Sequence, residues 1–298
     1  MPPARVDVFR IPTRILFGRG VALTVADPLR QIGAKRVLLV TDKGVRAAGL
    51  VKPIEAALQD AKIPYEIYDD VVPDPGVGEV QRAYERARAY GADALVAVGG
   101  GSAIDTAKMA ATLLTNGGTV LDYVGLDRVP RPAAPVVAIP TTAGTGAEIT
   151  INSVIADPEQ HKKLVIISPN ATALFALEDP DMTVTLPAFG TAITGMDTLV
   201  HAIESFVNKI AQVSPQMVTY NGCAFDLPVL RYRAMIHQVF APGMHNRAYY
   251  HRYTDDNVDL CDLLSSFSYG AKVKLDELSR IMGLPGKPDG IDGSQVEA

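Results

Sequence analysis

The sequence predicts an α/β protein: a mostly parallel sheet covered by helices on both faces, followed by a C-terminal segment of different texture. Three observations carry this. Short apolar and β-branched runs alternate with helix-spaced segments over the first two-thirds of the chain. Two of those runs pass directly into glycine-rich turns. Beyond about Ala211 the alanine-rich helices stop, and six of the eleven tyrosines lie after that point.

The elements follow in order. Arg14–Phe17 is a short extended segment. RVLLV (Arg36–Val40) is a buried strand, and Val51–Ala61 has helical spacing. IPYEIYD (Ile63–Asp69) is a second strand, followed by a strongly charged helix over Val77–Tyr90 with alanines on its inner face. ALVAVGGGSAIDTAKMAATLL gives strand, glycine turn and helix in one sweep, and PVVAIP (Pro135–Pro140) is a further strand. From Ile149 to Ile167 the runs INSVIAD and KKLVIIS predict a β-hairpin or ribbon, and Pro187–Val207 opens a helical region. Ligands of such sheets bind past the C-terminal strand ends, where both glycine turns fall.

Composition narrows the function. The chain of 298 residues is 48% apolar and 20% charged, as globular proteins are. Its net charge of -5 gives no support for nonspecific attraction to nucleic acid or an anionic membrane. Two distant cysteines, Cys223 and Cys261, predict neither a disulfide framework nor a thiolate metal site. The opening residues carry no continuous apolar stretch, no run reaches membrane-spanning length, and the expected compartment is the cytoplasm.

Gly99-Gly100-Gly101-Ser102 lies between a strand and a helix, where glycines let the backbone approach a phosphate and first-turn N–H groups bind its charge. A purely structural turn is the alternative, since the spacing is neither GxGxxG nor a P-loop. Asp105 is placed in the first helical turn, complementing the helix dipole. Thr141, Thr142 and Thr145 with Gly144 and Gly146 follow another strand at the same edge. Two polar turns on one rim favour a cofactor site. Asp42, just after the RVLLV strand, is a ribose or base contact, or a loop-capping carboxylate. Lys163 offsets phosphate charge, or is a solvated strand residue. Asp197 and His201, at i and i+4, share a helical face and suit a divalent metal, the alternative being a hydrogen-bonded histidine.

GGGSAIDTAK (Gly99–Lys108), AIPTTAGTGAE (Ala138–Glu148), LEDPDMTVTLP (Leu177–Pro187) and TGMDTLVHAIESFV (Thr194–Val207) together resemble the iron-containing, group III alcohol dehydrogenases over roughly Phe9–Ala211. The resemblance implies a Rossmann-like NAD(P)-binding domain over residues 1–186 and the start of a helical metal-binding domain over 187–211. It implies that Gly99, Gly100, Gly101 and Ser102 hold the pyrophosphate of NAD or NADP. Asp42 would lie near the adenosine, with Thr141, Thr142, Thr145 and Lys163 along the cleft. Asp197 and His201 match two of the family's four ligands for Fe²⁺ or Zn²⁺. The other two, histidines from later helices, have no counterpart, so the metal site is expected to be incomplete. The substrate would be a small alcohol or aldehyde, and a homodimer is the expected assembly.

VTYNGCAFDLPVLRYRA, HRYTDDNVDLCDLLSSF and LDELSRIMGLPGKPDGIDGSQVEA resemble instead the 3'-5' exonucleases related to family B DNA polymerases. This implies a partial RNase H-like α/β fragment over residues 212–298 and an apparent chimera. Asn221 and Asp226 match the second exonuclease motif; Asp226 would bind Mg²⁺ or Mn²⁺, with nucleic acid as partner. The first motif is absent, and the third would follow Ala298. Asp255, Asp256, Asp259 and Asp262 are read as a charged surface and helix cap, and His251 and Arg252 as surface residues or phosphate contacts. The strand in VTYNG and the apolar face of the Pro187–Val207 helix are both expected to lack partners.

Overall fold

The computed structural model describes residues 11–157, 162–213, 217–219 and 257–265, together with Leu227, Leu230, Tyr249 and Ile281. They fall into two compact units, residues 1–198 and 199–298. Asn221, Asp226, His251, Arg252, Asp255 and Asp256 lie outside the described residues.

The first unit is built on a six-stranded parallel sheet. Its strands are β1 (Arg14–Phe17), β2 (Val37–Asp42), β3 (Tyr65–Val71), β4 (Ala94–Gly99), β6 (Val136–Pro140) and β9 (Phe175–Glu178). They lie in the order β1-β9-β6-β4-β2-β3. Every residue of β4 and β6 is buried, as is all of β2 except Asp42. Continuous apolar runs of this kind are what a parallel sheet needs, because helices cover both faces. Val37, Leu39, Val96 and Ile139 face α1 (Ala26–Gln31) and α3 (Lys52–Asp60). Leu38, Val40, Leu95 and Ala97 face α4 (Val77–Tyr90) and α5 (Gly101–Asn116). Burying each large aliphatic side chain contributes about 1.5–3 kcal/mol.

The charged helix α4 keeps Val80, Ala83 and Ala87 inward, as its pattern predicts. Glu79 accepts from the Gly76 N–H at 2.9 Å, and Gly91 ends the helix at φ 71. A short helix α2 (Lys43–Ala47) follows β2 directly.

The predicted ribbon is present: β7 (Asn152–Asp157) pairs antiparallel with β8 (Lys162–Ile167), and β5 (Gly125–Leu126) adds a third strand beside β8. Ile155 and Ile166 pack with Val80, Met109 and Leu113 in a satellite core, which seats the ribbon on α4 and α5. The helix opening after Pro187 is α6 (Ala188–Val213). Its apolar residues Phe189, Ile193 and Met196 are exposed.

In the second unit, β10 (Met217–Thr219) pairs in parallel with β11 (Asn257–Asp259). The strand of VTYNG therefore has a partner, contrary to the expectation; it comes from later in the same segment. Asp259 caps the short helix Leu260–Leu264, its carboxylate accepting from the Cys261 N–H at 3.1 Å. Asp259 and Asp262 are buried, so the surface reading of the acidic run fails at these two positions and only the cap survives. Among the described residues no helix is long and apolar enough to cross a membrane.

Candidate functional site

The strand order creates the site. Chain connections from β2 run first to β3 on one side and then, through α4, to β4 on the other. This is a doubly wound 2-1-3-4-5 order starting at β2, with β1 added at the far edge. Its topological switch point lies between β2 and β4, beyond their carboxyl ends, where open α/β sheets bind ligands. Asp42, Gly99 and Pro140 end the three adjacent strands β2, β4 and β6 at this rim.

Gly99 is glycine for a steric reason. A Cβ there would lie 2.6 Å from the Cβ of buried Ala103, on the first turn of α5. Gly100 is the N-cap of α5, and no side chain caps the first-turn N–H groups, which face the rim. Asp105 lies beyond that turn, correcting the sequence reading. It is buried: one carboxylate oxygen accepts from the Val154 N–H at 3.0 Å, and the other stands 3.4 Å from Lys108 Nζ. Its role is to hold the ribbon, not to complement a dipole.

The hydroxyl loop after β6 closes over the glycine turn. The Thr141 N–H donates to the Gly99 carbonyl at 3.0 Å. A Cβ on Gly100 would lie 3.2 Å from Thr142 Oγ1, and one on Gly101 would lie 2.9 Å from Thr145 Oγ1. The predicted residues of the two turns are thus brought together, glycine against threonine. Beside them is a cavity of about 490 Å³ whose polar rim includes Asp42, Gly100, Thr141 and Thr142. Its apolar wall is formed by Val45, Ala48, Leu50, Leu186 and Pro187. The volume falls in the range of small-molecule sites, about 300–1,000 Å³.

Of its two sequence readings, Asp42 takes the capping one. Oδ1 caps α2 by accepting from the Val45 N–H at 2.9 Å. Oδ2 turns toward the switch point, 3.6 Å from where a Cβ on Gly99 would stand. Lys163 is placed elsewhere: its ammonium is ion-paired with Asp74 ahead of α4, and it does not line the cavity.

Asp197 and His201 both lie on α6. Asp197 is half-buried; His201 is 58% exposed, with Nδ1 3.9 Å from Glu204 Oε2. Among the described residues no three His, Cys, Asp or Glu side chains converge as a metal site would require.

Two charged features escaped sequence reasoning. Lys108 is fully buried, and burial pushes its pKa down and that of Asp105 up, each opposed by the other's charge. The available signal was a single lysine, three residues after Asp105, in an alanine-rich helix. Glu178, at the end of β9, has its pKa raised to about 7, first by burial and then by the nearby Glu148 carboxylate. An acidic residue closing the apolar run Phe175–Leu177 was its only mark.

Residues 12–180 match the family described as iron-containing alcohol dehydrogenase. The chain belongs to this family. Alcohol dehydrogenase 4 of Schizosaccharomyces pombe is 40% identical over 206 residues, covering 69% of this chain and 49% of that protein. The NAD-dependent methanol dehydrogenase of Bacillus methanolicus is 41% identical over 201 residues, covering 67% and 53%. Among solved structures, a 1,3-propanediol oxidoreductase superposes with TM-score 0.66 at 35% identity, covering 68% of this chain and 53% of that one. A sulfoacetaldehyde reductase from Bifidobacterium kashiwanohense, solved in complex with NAD⁺, superposes with TM-score 0.63 at 33% identity, covering 68% and 54%. This iron-containing alcohol dehydrogenase family member spans about half the length of the curated relatives it matches. Residues 171–298 match a second family, the predicted 3'-5' exonucleases related to the exonuclease domain of PolB. That match begins ahead of residue 212 and includes β9 of the parallel sheet.

Proposed function

We propose that residues 11–198 form an NAD-binding unit of the alcohol dehydrogenase type, small alcohols or aldehydes being the substrate class that a complete site would take. The observation that carries this reading is the convergence of Asp42, Gly99–Gly101 and Thr141–Thr145 at the switch point of the sheet. In this arrangement the uncapped first turn of α5 takes the pyrophosphate, with Thr142 and Thr145 beside it. The apolar wall of Val45, Ala48 and Leu50 takes the adenine, and Asp42 Oδ2 accepts from a ribose hydroxyl. The nicotinamide carries the hydride chemistry when bound; the protein binds and orients it. Lys163, already paired with Asp74, has no part in this proposal.

A carboxylate at this point disfavours a 2'-phosphate, so the cofactor is NAD rather than NADP. Calorimetric titration of the full chain should show NADH binding in the micromolar range and NADPH weaker by about tenfold or more. Asp42→Asn should narrow that gap while keeping a side-chain acceptor for the Val45 N–H. Equal affinity for the two cofactors in the unmodified chain would remove Asp42 from this role.

Asp197 and His201 offer a carboxylate and an imidazole, donors that suit Fe²⁺ or Zn²⁺. Two donors on one helix do not enclose an ion, and the described residues add no third. The described residues do not by themselves complete a metal site. Binding without turnover is therefore the activity proposed for this chain.

The match over residues 171–298 supports a second reading, Mg²⁺- or Mn²⁺-dependent 3'-5' exonuclease activity centred on Asp226. It is checked by incubating a 3'-labelled DNA strand with the full chain and either metal. Release of mononucleotides that is lost in Asp226→Ala is the supporting result. A strand left intact with both metals ends this reading.

A further inference from the structure

Lys108 makes an unusual set of contacts for a fully buried lysine. Its ammonium donates to the carbonyls of Ala147 at 3.0 Å, Thr150 at 3.2 Å and Asn152, and stands 3.4 Å from Asp105 Oδ1. An ammonium has three N–H donors and no acceptor, so these four oxygens use its full capacity. Asp105 Oδ2 adds the Val154 N–H. Together the two side chains hold four positions, 147, 150, 152 and 154, along the segment leaving the hydroxyl loop for β7.

That loop has little regular structure of its own. Gly146 sits at φ 63, and the Ile149 and Thr150 N–H groups both donate to the Gly146 carbonyl at 3.1 Å. At its entrance the Thr141 N–H is tied to Gly99, just before α5. Its exit is tied to Lys108, two turns further along that same helix. The β4–turn–α5 unit therefore sets both ends of the loop, β4 at the entrance and α5 at the exit, and also presents the glycine turn.

We infer that Asp105 and Lys108 are positioning residues: a buried clamp that holds Thr142 and Thr145 against Gly100 and Gly101, and thereby sets affinity for the pyrophosphate of the dinucleotide. The effect on affinity rests on the cofactor reading given above; the clamping of the loop does not. No other side chain delivers three donors from one point at the end of a thin stem, so the role belongs to lysine. Arginine's planar fork is too large for a site with no exposed surface.

The test uses the full chain, with hydrogen exchange read segment by segment and titration with NADH and with adenosine. In Lys108→Met, amides of residues 142–154 should exchange faster by about tenfold or more, while those of β2 and β4 keep their protection. NADH affinity should fall by about tenfold, and adenosine, which occupies the slot beside Asp42, should bind as before. Asp105→Asn keeps an acceptor for Val154 but removes the counter-charge; the same pattern is expected at about threefold, and it decides the matter if Lys108→Met does not fold. Faster exchange spread evenly over the sheet, an equal loss of NADH and adenosine, or no change in exchange at residues 142–154 would each overturn the clamp. If the unmodified chain binds no NADH, the cofactor reading fails, and the exchange data alone decide whether the loop is clamped.

Discussion

Gly99→Ala should reduce NADH binding by about 100-fold, or about 2.7 kcal/mol. The added methyl would stand 2.6 Å from the Cβ of Ala103, which is buried in the core under the sheet. Neither atom can rotate away, so the start of α5 must move, carrying with it the uncapped N–H groups that face the rim. Overpacking of this kind costs about 1–3 kcal/mol in stability, which by itself would not distinguish a damaged site from a damaged fold. Gly117→Ala provides the control. Gly117 ends the same helix at φ +74 and ψ -157, a conformation that is essentially glycine's alone, with open space where a Cβ would stand, so alanine there introduces backbone strain of about 1–3 kcal/mol far from the rim. Both variants should melt earlier in calorimetry, and only Gly99→Ala should lose NADH. Comparable losses of affinity in the two would show that the turn has no special part in binding.

Removing the charge of Glu178 should change how stability depends on pH. Its pKa is raised from the ordinary 4.5 to about 7, so between those values the folded chain holds a proton that the unfolded chain has released. Stability then falls as pH rises through this window and stays lower above it. The shift would correspond to roughly 3 kcal/mol for a fully enclosed group; Glu178 is only partly buried, and solvent screening brings this to about 1–2 kcal/mol. Glu178→Gln has nearly the same shape and no charge. At pH 8 it should melt about 2–6 °C above the unmodified chain, and at pH 4 the two should coincide. Melting curves that keep the same slope between pH 4.5 and 7 in the variant would assign the titration to another group. Glu148→Gln should lower the Glu178 pKa in turn, since its charge is the second cause of the shift.

Much of the first unit was legible because parallel sheets leave strong local marks. The apolar runs of β2, β4 and β6 are unbroken, and α4 carries its alanines at helical spacing between capping residues. The glycine turn was visible for the same reason, since a strand running straight into a helix needs residues without side chains. Asp42 was read in two ways, and its Oδ1 takes the capping role by accepting from the Val45 N–H. The misreadings concern charge. Asp105 looked like a dipole partner because sequence shows how close a residue lies to a helix start but not which face it presents. Lys163, read either as a phosphate counter-charge or as a solvated strand residue, stands half-exposed on β8 and pairs with Asp74 from a different connection. The acidic run ending at Asp262 looked solvated, and two of its members are buried.

The α/β class, the strands of the central sheet, the two glycine-bearing turns and the family are legible in the residues alone, because each is written in a contiguous stretch with a fixed period or steric requirement. Only the tertiary structure decided which strands stand side by side, and therefore that Asp42, Gly99 and Thr141 share one rim. It alone decided that Lys108 reaches residues 147, 150 and 152, and that Glu178 lies within range of Glu148. The physical reason is the same in each case. A periodic pattern specifies which face of an element is buried, whereas the partner of a buried charge is set by packing between segments that lie far apart in the chain, 39 to 44 residues for Lys108 and its carbonyls.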